Sequence, residues 1–177
     1  MKKNFRKNIL VGFLGVIIFF IGFSFRGFFN KPNQNTTNNI LFSNPQEGKY
    51  KVTRVLDGDT IELEKLGRFR YLGIDAPELN DRWGPEAMRF NKDLILNKMV
   101  RVELDQKTID VYGRALGYIW VNDTLVNEAL VERGYAKVNL MKGEVKPKYL
   151  DRLQKAEDWA RQNHDGVWFD EWEKSRL

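Results

Sequence analysis

The stretch KYKVTRVLDGDTIELEKLGRFRYLGID, Lys49 to Asp75, is punctuated twice. KYKVTRVL alternates apolar and polar residues, DGDT interrupts, IELEKL alternates again, Gly67 turns the chain, and RFRYLGID follows. Alternation with period two marks a half-buried strand, and Asp-Gly is a common hairpin turn. The stretch therefore predicts an antiparallel meander of three strands.

Working outward, PEAMRFNKDLILN reads as a helix, because Pro85 suits a first turn and Met88, Leu94 and Ile95 recur at roughly helical spacing. MVRVELD and GRALGYIWV read as two further strands, separated by the polar connection Gln106 to Tyr112. TLVNEALVERG is a short helix ended by Gly134, and PKYLDRLQKAEDWARQNHDG a longer one, opened by proline and closed near Gly166. Five strands with helices after the third and the fifth predict an α+β domain. Its form is a small five-stranded barrel of the OB type, closed or nearly so, carrying three helices.

Composition removes much chemistry. The 177 residues are 42% hydrophobic, enough for one ordinary core, and contain no cysteine and a single histidine, His164. Thiol catalysis, disulfides, cysteine-ligated zinc and iron–sulfur clusters are excluded, and a Ser-His-Asp triad would have to use that one ring. Carboxylates, arginines and hydroxyls are left to do any chemistry. The net charge of +5 is misleading as a nucleic-acid signal. Lys2, Lys3, Arg6, Lys7, Arg26 and Lys31 all precede the first acidic residue, Glu47, leaving 23 of the 29 basic residues against 24 acidic ones. The globular part is close to neutral, so attraction to phosphate must come from locally placed arginines and a metal ion.

The early charges flank ILVGFLGVIIFFIGFSF, an uncharged apolar run from Ile9 to Phe25 of about the minimum length for a membrane-spanning helix. No small-x-small cleavage site follows it. The run reads as an uncleaved signal-anchor over 9–29, behind a basic cytoplasmic segment 1–8, with a cleaved signal peptide as the alternative. Positive charge before the span puts the following domain outside the cytoplasm. The asparagine-rich 30–48 reads as a flexible linker, 49–170 as the globular domain and 171–177 as a charged tail.

The candidate site lies at the strand ends. Asp57 and Asp59 flank Gly58, and Asp75 closes strand three before Pro77. If strands one and three end at the same rim, these carboxylates face one another, and hard oxygen ligands on rigid turns suit Ca²⁺ or Mg²⁺. Taken alone, DGDT is better explained as a turn whose aspartate bonds its own backbone. Arg70 and Arg114 shift the balance. Strict alternation puts Arg70 on the face of Leu72 and Ile74, with Asp75 opposite, so a bulge near Gly73 or an early strand end is needed to bring them together. Arg114, after the VYG turn, can be aimed across the rim. Two such arginines beside a carboxylate cluster match the needs of phosphodiester cleavage. The competing reading is that both arginines only form ion pairs with those same carboxylates.

VLDGDTIEL, FRYLGIDAPE, WGPEA, DVYGRALGYI, VNEALVERGYAKV and GVW, in this order, resemble the staphylococcal nuclease (thermonuclease) family. The resemblance covers about Tyr50 to Phe169. It implies an OB barrel with three helices that cleaves DNA and RNA with Ca²⁺, as a monomer. It further implies that Asp59 and Asp75 ligate Ca²⁺ through carboxylates and Ala76 through its backbone carbonyl. By the same resemblance Glu78 is the general base or positions water, Arg70 and Arg114 hold the phosphate, Tyr112 contacts substrate, and Asp57 and Thr60 support the metal ligands. Departures from the family pattern are the short segment ELNDRWGPEA, Val111 in place of a lysine, and Leu140 near the place of a stacking tyrosine. They predict weaker nucleotide contacts or an altered base preference. The alternative is a non-catalytic OB module binding nucleic acid or protein. A carboxylate-pair glycosidase leaves the arginines unexplained. Trp120, Trp159 and Trp168 read as packing aromatics, Trp83 as the one tryptophan placed to stack on a base, and His164 as a helix-end residue.

Overall fold

Residues 44–140 and 146–176 are described by a computed structural model of the chain. The expected anchor at 9–29 and the linker up to residue 43 lie outside the described residues. Among the described helices none is long and apolar enough to cross a membrane.

Alternation becomes a meander. β1 (Gly48–Val55), β2 (Thr60–Leu63) and β3 (Gly67–Tyr71) pair antiparallel, with Val52 opposite Leu63 and Ile61 opposite Phe69. Val52, Ile61, Leu63, Phe69 and Tyr71 point inward and are buried. Full burial of one such side chain stabilises by about 1.5–3 kcal/mol, which fixes the register against a one-residue slip. The second strand is shorter than the alternation of IELEKL implies. It stops at Leu63, because the reversal into Gly67 uses Glu64–Leu66 as its turn, with Lys65 at φ +68°.

The third strand also ends early. After Tyr71 the chain turns at Leu72-Gly73, and Gly73 has φ +81°, a left-handed conformation that suits glycine. β4 (Ile74–Asp75) then leaves the barrel to pair antiparallel with β8 (Lys137–Val138), Asp75 opposite Lys137. β5 (Met99–Glu103) pairs with β1 and with β6 (Ala115–Val121), and β7 (Thr124–Leu125) adds a short edge to β6. β6 also runs parallel to β3, Arg70 opposite Leu116, which closes the ring β3-β2-β1-β5-β6. The five-stranded closed barrel follows as expected.

α1 (Gly84–Ile95) has Pro85 in its first turn and buries Gly84, Ala87, Asn91 and Ile95. α2 (Val126–Glu132) is tied to the barrel by Asn127, whose amide accepts from Ile119 N–H (3.1 Å) and donates to the carbonyls of Leu72 (3.0 Å) and Gly117 (3.3 Å). α3 (Leu150–Asn163) ends with His164 at φ +57°, a left-handed helix-end conformation, and the His164 ring stacks on Trp172 at 4.9 Å. Three helices were expected, but a fourth is present. α4 (Val167–Ser175) runs across the expected boundary at residue 170 and through most of the segment read as a charged tail. Its N-cap is Gly166, which offers no capping side chain, and its nine residues are mostly polar, so the usual helix signals are missing. Buried Trp168, 5% exposed, anchors it. Trp159, expected to pack, is 57% exposed on the outer face of α3.

Candidate active site

The DGDT segment is a turn, as its composition requires. Leu56 N–H donates to the Thr60 carbonyl (2.9 Å), and Asp59 N–H donates to the Asp57 side chain (3.0 Å). The turn is also more than that. Gly58 sits where a Cβ would come within 2.5 Å of Ala76 Cβ and 2.8 Å of Ala87 Cβ, so only glycine lets the turn meet α1 and the residue that follows β4. The Gly58 carbonyl accepts from Asn91 Nδ2 (3.1 Å), and Asn91 Oδ1 accepts from the Tyr71 hydroxyl (2.9 Å).

This packing buries the Asp59 carboxylate to 1% exposure. A buried charge is costly unless fully partnered. Asp59 Oδ2 accepts from Ala76 N–H (2.6 Å), Oδ1 accepts from the Thr60 hydroxyl (3.1 Å), and Oδ1 pairs with Arg70 Nη1. The other arm of Arg70 reaches Asp75 Oδ1 at 2.5 Å. Arg70 and Asp75 would lie on opposite faces of a continuous strand, and the break at Gly73 brings them to one side. One guanidinium, 19% exposed, thus joins both carboxylates. Among the described residues no three acidic or imidazole side chains gather in metal-binding geometry.

Arg114 is held separately. Asp110 accepts N–H bonds from Tyr112 and Arg114 (both 2.9 Å) and pairs with Arg114 Nε at 2.6 Å. The guanidinium lies 5.3 Å from the centre of the Tyr112 ring, and Tyr112 is 82% exposed. Burial pushes the Asp57 carboxyl up, opposed by its bonds with Thr60 and by the positive fields of Arg70 and Arg114. Both arginines therefore act on one carboxylate at the rim. Arg70 does pair with these carboxylates, whereas Arg114 pairs with Asp110 instead.

Glu78 stands at the lip. Its backbone is closed by Asp81, whose side chain accepts the Glu78 N–H (3.2 Å) and whose N–H donates to the Glu78 carbonyl (2.9 Å). The Glu78 carboxylate is exposed and makes no hydrogen bond or ion pair among the described residues. It lines a cleft of about 430 Å³ together with Asp75, Ala76, Pro77, Arg82 and Lys137. Trp83, expected to be free to stack, is committed elsewhere. Its Nε1–H donates to Asp170 (3.1 Å), and Arg82 lies 5.5 Å from its ring centre.

Residues 68–170 match the family model described as staphylococcal nuclease homologue. The chain belongs to the staphylococcal nuclease family. The thermonuclease of Staphylococcus hyicus is 36% identical over 135 residues, covering 71% of this chain and 79% of that protein. The thermonuclease of Staphylococcus intermedius is 34% identical over 128 residues, 67% of this chain and 75% of its own length. The SPbeta prophage-derived endonuclease YokF of Bacillus subtilis is 34% identical over 125 residues, 65% of this chain but 42% of its own length.

Within this staphylococcal nuclease domain, Asn91 and Asp110 are the supporting residues that sequence reasoning missed. A signal existed for each. Asn91 falls at i+4 from Ala87 and i−4 from Ile95, a polar residue in the middle of a buried helix face, and Asp110 precedes Arg114 by four residues around a glycine turn. Asn91→Ala is expected to destabilise the fold by about 2–4 kcal/mol, because the Tyr71 hydroxyl and Gly58 carbonyl both lose a buried partner. Urea unfolding of the two forms checks this.

Acid sensitivity follows from depressed carboxyls, Asp110 and Glu103 among them. Burial opposes ionisation of Asp110, but the backbone and side chain of Arg114 and the N–H of Tyr112 outweigh it and hold the carboxyl below its ordinary 3.8. Burial likewise opposes ionisation of Glu103, which Lys148, Tyr149 and Arg101 hold below 4.5. A carboxyl lowered in the native state contributes stability above its unfolded value and loses it as pH falls through the native one. Melting temperature is therefore expected to fall on acidification from about pH 4 towards 2, and Glu103→Gln to flatten that fall. Thermal melts across this range decide the point.

Proposed function

We propose that this chain is a Ca²⁺-dependent phosphodiesterase that cuts DNA and RNA outside the cytoplasm. That it is a nuclease, a hydrolase of phosphodiester bonds, follows from its family and its relatives. The observation that carries the finer reading is the convergence of buried Asp59 and rim Asp75 on one positive group, beside a free Glu78. Two carboxylates that already share a cation-like partner have the charge and the hard oxygen donors that Ca²⁺ takes.

Asp59 and Asp75 would hold the ion, with the Ala76 carbonyl as third donor and Asp57 and Thr60 keeping the turn in shape. When bound, Ca²⁺ supplies charge for a phosphate oxygen and for the attacking water. Arg70, with its carboxylates sharing a second cation, can turn part of its fork to the phosphate. Arg114, fixed by Asp110, presents its remaining donors from the other side, and Tyr112 lies beside it at the surface where a nucleotide would run. Negative charge building on the phosphorus oxygens then meets donors already in place. Glu78, unpartnered and exposed at the cleft, can accept the proton of the attacking water.

The apolar run 9–25 between basic residues supports a membrane anchor with the nuclease domain outside, or a secreted form if that segment is removed. The test uses the full chain in detergent on single-stranded DNA and on RNA. Cleavage with Ca²⁺ that disappears with EGTA and falls at least a hundredfold in Glu78→Gln supports the reading. Binding without cleavage under any divalent ion would instead favour the non-catalytic module.

A further inference from the structure

The segment that carries Glu78 is held by α4, which lines the same cleft. Asp170 Oδ2 accepts the indole N–H of Trp83 (3.1 Å), and Asp170 Oδ1 pairs with Arg82 (2.7 Å), both residues lying between Glu78 and α1. Arg82 sits between two rings, 5.5 Å from the centre of Trp83 and 5.7 Å from that of Phe169 on α4. The next residue along the helix, Glu171, pairs with Lys137 at 2.7 Å, and Lys137 faces Asp75 across the β4–β8 ladder. Consecutive acidic residues of one short helix thus pair with the Glu78 segment and with β8, and with Val167 and Lys174 they themselves line the 430 Å³ cleft. The helix itself is fixed, because Trp168 is buried and Val167 N–H donates to the Gly134 carbonyl (2.9 Å).

The grips are unequal. The Lys137–Glu171 pair is exposed on both sides, where ion pairs contribute little. Asp170 is only 26% exposed; its Oδ2 accepts the indole N–H, which sets direction, and its Oδ1 adds a charge contact with Arg82 that lacks hydrogen-bond geometry. The Glu78 carboxylate has no partner of its own among the described residues, so its position depends on the segment behind it.

We propose that Asp170 is a positioning residue for Glu78, and that α4 serves the nuclease as a buttress keeping the Glu78 segment against the cleft. This rests on the reading of Glu78 as the proton acceptor. Misplacement by about 1 Å of a group that orients a reacting water costs up to about a hundredfold in rate. Asp170 acts through a neighbouring segment, so a smaller loss is expected.

The experiment measures kcat and KM of the full chain on single-stranded DNA with Ca²⁺, for Asp170→Ala and for Trp83→Phe, which removes only the indole donor. Each is made in the native and the Glu78→Gln background, with thermal melts alongside. Asp170→Ala is expected to lower kcat about tenfold with KM within about twofold, Trp83→Phe to lower it less, and neither to add any loss once Glu78 is glutamine. Equal losses in both backgrounds, or an undiminished kcat in folded Asp170→Ala, would overturn the proposal and leave Glu78 as base. If Asp170→Ala does not fold, Trp83→Phe decides by the same comparison. If Glu78→Gln itself cleaves normally, the base assignment fails, and the positioning role falls with it.

Discussion

Arg70→Ala is expected to lower cleavage by about a thousandfold and to destabilise the fold in the same stroke, because Arg70 serves two masters. In the folded chain it joins buried Asp59 to Asp75, and on the proposed reading it also meets the phosphate. Its removal strands a carboxylate that is 1% exposed. Breaking a buried ion pair on one side costs about 3–5 kcal/mol, and the lower end applies here because Asp59 keeps its bonds from Ala76 and Thr60. The two losses separate with Ca²⁺. An ion held by Asp59 and Asp75 replaces the missing positive charge, so the stability loss should shrink on adding Ca²⁺ while the rate loss persists. Urea unfolding with and without Ca²⁺, beside a cleavage assay, measures both. Near-native cleavage by Arg70→Ala at saturating Ca²⁺ would assign Arg70 a structural role only.

Arg114→Ala separates the same two quantities in the opposite way. Arg114 is a quarter exposed, and its partner Asp110 keeps the backbone N–H groups of Tyr112 and residue 114 after the substitution. Asp110 is only 5% exposed, so losing the guanidinium still costs about 1–3 kcal/mol of stability. The rate should fall by about a thousandfold, since on the proposed reading a fixed guanidinium faces the developing charge and acts only in the transition state. The readout is kcat against KM, with the loss expected chiefly in kcat. An Arg114→Ala protein that cuts at near-native kcat but binds DNA weakly would make Arg114 a docking residue.

These expectations depend on geometry that the sequence carries unevenly. The barrel is legible because Val52, Ile61, Phe69 and Val102 fall on one face of strands with period two, and each buried side chain reinforces the same register. The meeting of Arg70 with Asp75 is legible only as a requirement for a break near Gly73. Alternation counts faces and cannot locate the point where backbone enters the left-handed region, although the glycine marks the place. Asn91 was hidden because a polar residue on a helix is ordinarily assigned to solvent, and its burial depends on the turn of another strand coming to meet it. α4 was hidden for the opposite reason: it has the charge of a solvated tail, and tertiary contacts from Trp168 and Asp170 make it a helix. Trp159 shows that aromatic content alone does not predict burial.

Calorimetric titration of the full chain with Ca²⁺, in native, Asp59→Asn and Asp75→Asn forms, tests the central assignment most directly. The account predicts one ion per native chain, affinity weakened at least tenfold by either substitution, and binding undiminished in Arg70→Ala, whose guanidinium no longer competes for the carboxylates. Native Ca²⁺ affinity in folded Asp59→Asn would contradict it, and would move the ion away from the turn around which the site is built.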